Sequence, residues 1–280
     1  MYADSNSGTP NVTHVIATGN TVMGVVPAGD DVFAVSFSQE VHIYNSVTSK
    51  LQRRITVPGL TNAYDLAVCK INKCLYVPDC INNTVHRVEL SGSNAVTKWS
   101  VASRPAGVSV NREDNLLVVS EGERKLQIFT THGTLLQDIQ IQAVIDKPQR
   151  AMQLANGQFV VSNDAHDNQL CLIGMDGQLQ SVYRPTEKGS SVGKMKQPRG
   201  IAVDKHNNVL LADMGNNRLL VFNQSLTRAQ VMSVRVDGGF RHPRSLWYDQ
   251  LPRRLYIGEL HSGRVIVIDN LKDFFSACTS

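Results

Sequence analysis

Four arginines are the first candidates for chemistry in this sequence. Arg104, Arg150, Arg199 and Arg244 each stand beside the start of a short apolar run. A guanidinium group makes bidentate contacts with phosphate or carboxylate, and it also stacks on nucleic-acid bases. If the fold brings these four residues together, they form a basic rim that suits an RNA stem-loop, a single-stranded RNA or an acidic peptide.

Three aromatic or imidazole side chains could extend that recognition to unpaired bases. Tyr64, His166 and His242 can stack on a base or hydrogen-bond to its edge. The competing interpretation is structural, because the arginines can also pair with acidic residues of neighbouring loops, namely Asp79, Glu121, Asp164 and Glu259. Arg218 is expected to pair in this way with Asp213. At the level of sequence both interpretations stay open.

The elements that must position these side chains are short strands. Within residues 198–222, apolar runs at 201–203, 209–212 and 219–222 alternate with turns rich in Asn, Asp and Gly. The apolar residues come in runs of three or four rather than at spacings of three and four. The pattern therefore predicts three strands in series and no amphipathic helix.

The same pattern recurs along the chain. Its copies begin at residues 21, 63, 105, 148, 198 and 243, so successive starts lie 42, 42, 43, 50 and 45 residues apart. Six strand-rich copies of this length predict an all-β, six-bladed β-propeller of four-stranded antiparallel blades. A flexible lead at residues 1–11 is followed by one domain, whose blades are expected at about 21–62, 63–104, 105–147, 148–197, 198–242 and 243–280.

A propeller would bring the candidate residues together. The first strand of each blade lines the central channel, and the loop leading into it opens on the same face as the loop between the second and third strands. We therefore expect Tyr64 and the four arginines at one mouth of the channel, with His166 and His242 on the same face. This face is the default binding surface, because function in such folds concentrates on loops.

Residues 12–18 read as an isolated strand ahead of the first full blade. We expect this strand to complete the last blade, since a terminal strand that closes the ring removes two exposed edges. The competing closure uses residues 274–278 as the fourth strand of that blade. The sequence alone leaves the choice open. Residues 184–197, rich in Gly, Ser and Lys, are predicted to form a surface loop.

The stretch Pro198-Arg-Gly-Ile-Ala-Val-Asp204 resembles the start of an NHL repeat. The resemblance continues through Asn208-Val-Leu-Leu-Ala-Asp213 and Asn216-Asn-Arg-Leu-Leu-Val-Phe222, with weaker copies at 116–129, 159–173 and 255–268. NHL domains are six-bladed propellers, often found at the C-terminal end of tripartite-motif proteins, where they bind RNA or protein partners. The resemblance thus implies a target-selecting RNA-binding platform, with a peptide-docking propeller that selects ubiquitin-ligase substrates as the alternative.

Composition places few further limits on function. A net charge of +4 over 280 residues neither requires nor excludes nucleic acid. No apolar run is long enough to span a membrane, and the first ten residues lack the features of a secretory signal, so a cytoplasmic location is predicted. Five cysteines, at positions 69, 74, 80, 171 and 278, lack a convincing fourth zinc ligand and are expected to be reduced.

Catalysis is not expected from these residues. The predicted innermost strands are mostly apolar, with Asp65, Ser109 and Gln153 as their polar members. A metal-dependent lactonase or lyase propeller would need inward-facing acids, amides or histidines from several blades, and it is the least favoured alternative. We therefore expect no cofactor and no metal. The propeller itself is not expected to oligomerise.

Overall fold

The computed structural model describes residues 10–183, 192–271 and 274. These residues form six four-stranded antiparallel sheets, each the blade of a ring, and their one helical element is the short 3-10 turn Met214–Asn216. The predicted all-β, six-bladed propeller is therefore confirmed. Five blades follow the chain directly, with each strand paired to the next, whereas the sixth also recruits the first strand of the chain.

The strands are numbered in chain order. Val12–Ala17 is β1, and blade 1 contains β2 to β5: Gly24–Ala28, Asp31–Val35, Glu40–Asn45 and Leu51–Thr56. Blade 2 contains β6 to β9: Ala67–Cys69, Cys74–Asp79, Thr84–Glu89 and Val96–Ser100. Blade 3 contains β10 to β13: Pro105–Val110, Leu116–Ser120, Lys125–Phe129 and Leu135–Gln140.

Blade 4 contains β14 to β17: Pro148–Gln153, Phe159–Asn163, Gln169–Ile173 and Leu179–Tyr183. Blade 5 contains β18 to β21: Pro198–Val203, Val209–Asp213, Arg218–Phe222 and Ala229–Val231. Blade 6 adds β22 to β24, which are Pro243–Asp249, Arg254–Glu259 and Arg264–Ile268. Its strand order is β1-β24-β23-β22, so β1 is the outermost strand.

A terminal strand closes the ring, as predicted, and it is β1. Its register with β24 runs from Val12 opposite Ile268 to Ala17 opposite Arg264. Ile16 points into the core and is fully buried. Of the competing tail, residues 275–278 lie outside the described residues, and Phe274 is a buried residue outside any strand.

The core consists of apolar layers between neighbouring blades. Second strands such as β7, β11 and β19 are buried at every position, because both of their faces meet another blade. This environment explains why they read as continuous apolar runs rather than as alternating ones. The outermost strand β5, in contrast, buries Ile55 alone and exposes its polar residues.

In blades 2, 4, 5 and 6 the loop that leads into the blade is anchored by a buried polar side chain at the end of the second strand. That side chain accepts a hydrogen bond from a backbone N–H two residues, or in blade 4 one residue, before the first residue paired with it, which is Ala63, Pro148, Pro198 or Pro243. The pairs are Asp79 with Thr61 (2.7 Å), Asn163 with Lys147 (2.9 Å), Asp213 with Lys196 (2.7 Å) and Glu259 with Arg241 (2.7 Å). These buried acceptors fix where each inner strand begins.

The same anchors hold two arginines. Arg218 Nε donates to Asp213 at 2.7 Å, which confirms the pairing expected from the sequence, and Arg264 Nε donates to Glu259 at 2.7 Å. Burial raises the pKa of Asp79, but hydrogen bonds from Thr61 and its neighbours outweigh that effect and hold the pKa below its ordinary value.

The polar insertion in blade 4 differs in part from its prediction as a surface loop. Residues 184–191 lie outside the described residues, but Val192 and Met195 are buried in the layer between blades 4 and 5. Two apolar side chains spaced three apart were too sparse to reveal this packing from sequence. Two side chains from the second half of the insertion are therefore part of the core, while Gly193, Lys194 and Lys196 are exposed.

Candidate binding site at the channel mouth

One residue from each blade surrounds the mouth of the channel. In blades 2 to 6 the inner segment begins with a residue paired to the last residue of the second strand, as Pro198 is to Asp213. The following residue faces the mouth. Including blade 1, this ring comprises Met23, Tyr64, Ala106, Gln149, Arg199 and Arg244. The next position supplies Asp65 from blade 2 and Arg150 from blade 4 to the same cavity.

Three of the four predicted arginines meet at this mouth. Arg150, Arg199 and Arg244 line one cavity together with Tyr64. Arg104 does not join them: its side chain is 68% exposed, and its Nη2 lies 3.5 Å from Glu121 Oε2. The physical reason is its place in the chain, because Arg104 precedes Pro105, whereas the other three arginines follow the proline of their blades.

Arg150 is held by an ion pair across the channel. Its Nη1 donates to Asp65 Oδ2, and the two side chains are only 5% and 8% exposed. The same carboxylate oxygen accepts the Val108 N–H at 3.0 Å. Asp65, on blade 2, thus links blades 3 and 4 around the mouth, which makes it an internal brace of the ring.

Arg199 is shared between an amide and an acid. Its Nη1 donates to Gln149 Oε1 and its Nη2 donates to Asp164 Oδ2. Burial raises the pKa of Asp164, and the positive charges of Arg199 and Lys147 act in the opposite direction. This pairing is the structural alternative that the sequence left open for Arg199.

Arg244 has a different environment. Its Cζ lies 4.5 Å from the centre of the Tyr64 ring, and its Nη2 donates to the Tyr64 carbonyl oxygen at 3.1 Å. It makes no ion pair with a carboxylate of the described residues. Burial lowers the pKa of this guanidinium, while Tyr64 and Asp65 act to raise it. A buried cation held only by a ring face and a carbonyl remains available to an anion.

The mouth therefore carries more positive than negative charge. Three guanidinium groups face two carboxylates, Asp65 and Asp164, and the Nε atoms of all three arginines find no acceptor among the described residues. The cavity volume is about 20 Å³, which is room for about one water molecule. Such a space admits the tip of one phosphate or carboxylate group and no whole base.

The other predicted residues lie outside this cavity. His166 is fully exposed on the loop between β15 and β16, with its Nδ1 3.3 Å from Asp167. His242 packs edge-on against His261, with ring centres 4.6 Å apart. Both lie on the mouth face, the face onto which the loops leading into the inner strands open. Neither lines the cavity that the arginines share.

A recurring hydrogen bond to an asparagine side chain, which was not predicted from the sequence, explains the outward position of Arg104 and His242. The residue before the inner-strand proline has a left-handed backbone, with φ near 55°, in blades 3, 5 and 6. Its N–H is bound by an asparagine Oδ1 of the preceding blade. The pairs are Arg104 with Asn83 (2.8 Å), Gln197 with Asn168 (2.9 Å) and His242 with Asn217 (2.7 Å). The recurrence of Asn in these loops was the available signal.

Two glycines set the width of the channel. A Cβ on Gly107 would lie 2.3 Å from the Gln149 carbonyl oxygen, and one on Gly200 would lie 2.5 Å from that of Arg244. Neighbouring inner strands can therefore approach closely at these two positions. In the sequence, each of these glycines lies two residues after the proline of its blade, and this spacing was the signal for a close approach of the strands.

The mouth face is uneven around the ring. Phe37 is 54% exposed on the loop between β3 and β4, and Ile81 is 63% exposed on the corresponding loop of blade 2. The exposed residues Lys196 and Arg241 lie in the loops that lead into blades 5 and 6. Exposed apolar side chains thus lie on the loops of blades 1 and 2, and exposed cations on those of blades 5 and 6.

The cysteines take structural positions. Cys69 and Cys74 stand opposite each other in the β6–β7 pair, and both are buried. Cys69, Cys74, Cys80 and Cys171 form no disulfide with one another, and Cys278 lies outside the described residues. Within residues 10–183, 192–271 and 274, no three His, Cys, Asp or Glu side chains are grouped as a metal site. The described chain also contains no helix with the length and hydropathy needed to cross a bilayer.

Residues 195–222 match the family model of the NHL repeat. The match covers the start of blade 5, so the chain is a six-bladed propeller with one segment that matches this repeat. Among curated protein sequences, none matches the chain.

Solved structures with a similar fold come from distant proteins. Virginiamycin B lyase from Staphylococcus aureus has a TM-score of 0.68 and 9% identity, over 92% of this chain and 99% of that one. A Bacteroides thetaiotaomicron protein of unknown function has a TM-score of 0.69 and 15% identity, over 89% and 69%. Kuenenia stuttgartiensis hydrazine synthase has a TM-score of 0.65 and 13% identity, over 98% and 100%. At these identities the likeness concerns the fold alone.

Proposed function

We propose that this propeller is a non-catalytic platform that binds RNA on its mouth face. The observation that carries the proposal is the cluster of buried Arg150 and Arg244 with partly buried Arg199, whose positive charge the two carboxylates only partly neutralise. A phosphate placed over the mouth would meet the guanidinium of Arg244 in a partly desolvated environment, where charge-assisted hydrogen bonds are strongest.

Exposed cations extend this site beyond the mouth. Arg104, Lys196 and Arg241 lie on loops of blades 3, 5 and 6 around the same face. Because the cavity accepts only the tip of an anionic group, most contacts with RNA would come from these exposed side chains. Tyr64 already stacks on Arg244, so it contributes to recognition by orienting that arginine.

A second candidate is docking of an acidic peptide, and the exposed apolar side chains of the mouth face favour it. Phe37 and Ile81 are exposed on neighbouring blades, and large exposed apolar side chains often mark protein-binding surfaces. A peptide with an apolar anchor and an acidic residue would match the apolar side chains and the cations of this face. The similar structures from Staphylococcus aureus are lyases by name. We do not propose lyase chemistry for this chain, because no described residue at the channel mouth favours it.

Replacing Lys196 and Arg241 together with glutamate is expected to weaken binding of an RNA hairpin roughly tenfold or more. Both residues are exposed, so their charge can change without burying an unpaired group. The slope of log affinity against log salt should also fall by about one unit per lost phosphate contact. The measurement is a hairpin titration by fluorescence anisotropy at two salt concentrations.

The matched control reverses Arg53 and Lys98, two exposed cations on the outermost strands of blades 1 and 2. This control has the same net charge change and should bind RNA almost like the unaltered protein. Equal losses in both variants would mean non-specific attraction and would contradict the proposal. Absence of RNA binding, with retention of an acidic peptide that carries an apolar anchor, would favour the docking function.

A further inference from the structure

A second cavity lies on the opposite face of the ring, at the turns that join first to second strands. Its volume is about 490 Å³, within the range of small-molecule sites. It is formed between the β10–β11 turn of blade 3, the β18–β19 turn of blade 5 and the β22–β23 turn of blade 6. The lining residues are Arg112, Lys205, Tyr248, Gln250, Leu251 and Arg253.

Cations dominate this cavity. Its lining includes Arg112, Lys205 and Arg253 from three blades and no acidic side chain. Arg112 and Arg253 form no ion pair within the described ranges 10–183, 192–271 and 274. Two guanidinium groups thus face one cavity without a carboxylate to neutralise them, a combination that favours an anionic ligand.

The nearest acids in the same turns are engaged elsewhere. Asp249 accepts a hydrogen bond from the ammonium group of Lys70, a residue of blade 2, at 2.8 Å. Asp204 is buried and accepts the backbone N–H groups of His206 and Asn208, each at 2.9 Å. Glu113 is exposed, Asp114 accepts a hydrogen bond from the Cys69 thiol at 3.8 Å, and neither lines the cavity. No acid of these turns among the described residues therefore pairs with Arg112 or Arg253.

The walls of the cavity are held in place. Gln250 Nε2 donates to the Val203 carbonyl oxygen at 3.1 Å, which ties blade 6 to blade 5. The Tyr248 hydroxyl donates to the Leu271 carbonyl oxygen at 3.4 Å, and the Leu271 N–H donates to the Arg253 carbonyl oxygen at 2.9 Å. These contacts fix the backbone of the walls, whereas the side chains of Arg112, Leu251 and Arg253 are exposed and must be ordered by the ligand.

The cavity also offers apolar surface. Leu251 is 84% exposed, and the ring of Tyr248 forms part of the wall. An exposed leucine beside guanidinium groups would gain from contact with an apolar part of the ligand. A ligand that matches both the positive charge and the apolar surface of this cavity is an amphiphilic anion.

We propose that this cavity is a binding site for a phosphate monoester that carries an aromatic or apolar group. Arg112 and Arg253 bind the phosphate, which offers three oxygens and a charge near −2 at pH 7. Leu251 and the Tyr248 ring contact the apolar group. The site is independent of RNA recognition, because it opens on the other face and shares no residue with the channel mouth.

Phenyl phosphate is the probe, with inorganic phosphate and benzoate as comparisons. We expect saturable binding of phenyl phosphate, at least threefold weaker binding of inorganic phosphate and at least tenfold weaker binding of benzoate. Calorimetry measures affinity, and the methyl NMR signals of Leu251 report whether the probe enters this cavity. Signals of Met23 at the channel mouth should not shift.

Two variants separate the contributions. Arg112→Gln with Arg253→Gln should reduce phenyl phosphate affinity at least tenfold, and Leu251→Ser should reduce it about threefold while leaving inorganic phosphate unchanged. Arg53→Gln with Lys98→Gln removes two exposed charges elsewhere and should leave all affinities unchanged. The site is refuted if phenyl phosphate does not shift the Leu251 methyls at millimolar concentration, or if the double arginine variant binds it unchanged while melting at the same temperature.

Discussion

Removing residues 1–19 is expected to unfold the propeller at ordinary temperature or to leave it barely stable. The deletion takes away β1, whose five register pairs cover the edge of β24, and exposes the space filled by Ile16. With about 1 kcal/mol per net hydrogen bond and about 2–3 kcal/mol for the isoleucine, the loss is on the order of 5 kcal/mol or more. Domain stabilities are about 5–15 kcal/mol. Thermal and urea denaturation measure the effect.

The control for this deletion removes residues 1–10 only, which leaves β1 complete. Its melting temperature should stay within about 2 °C of the full chain. A synthetic peptide of residues 10–19, added to the longer deletion, should restore part of the lost stability by re-forming the outer strand of blade 6. An unchanged melting temperature in the longer deletion would show that β1 does not support the ring.

Replacing Asp65 with alanine is expected to destabilise the fold by about 3–5 kcal/mol. The change leaves the Arg150 guanidinium buried without its carboxylate and deprives the Val108 N–H of its acceptor. Removing one partner of a buried ion pair usually costs this much, because the remaining charge stays desolvated. Urea denaturation monitored by circular dichroism gives the free energy of unfolding.

A second variant tests the cause of that loss. Asp65→Ala combined with Arg150→Met removes both charges and keeps an apolar side chain in the mouth, so it should recover more than half of the lost stability. If the double variant were no more stable than Asp65→Ala alone, the unpaired guanidinium would not be the cause. A loss below about 1 kcal/mol in the single variant would mean that the ion pair does not brace the ring.

The period of the strand pattern made the fold predictable. Each copy contains runs such as 209–212 that both neighbouring blades bury, and a run of this kind keeps its signal even when the loops differ. Closure by a terminal strand was also predictable, because an exposed edge is unfavourable. Which end supplies that strand was open in the sequence, and the pairing of β1 with β24 answers it.

The composition of the channel mouth was only partly predictable, because the register of the inner strands shifts just after their prolines in blades 3 to 6. Arg199 lies one residue after its proline and Arg150 two after, yet both line the mouth, whereas Arg104, one residue before its proline, does not. The partner of Arg150 is Asp65, two blades away across the channel. Such a contact leaves no local pattern in the sequence.

The pairing of β1 with β24 also constrains how the protein is made. A hydrogen bond joins Thr13 to Val267, 254 positions apart, so the first strand of the propeller can pair only after its last strand has been made. Contacts of such long range slow folding, and the unpaired strand can meet other nascent chains in the meantime. Until β24 has formed, β1 has no partner strand, and Ile16 lacks the core that buries it in the closed ring.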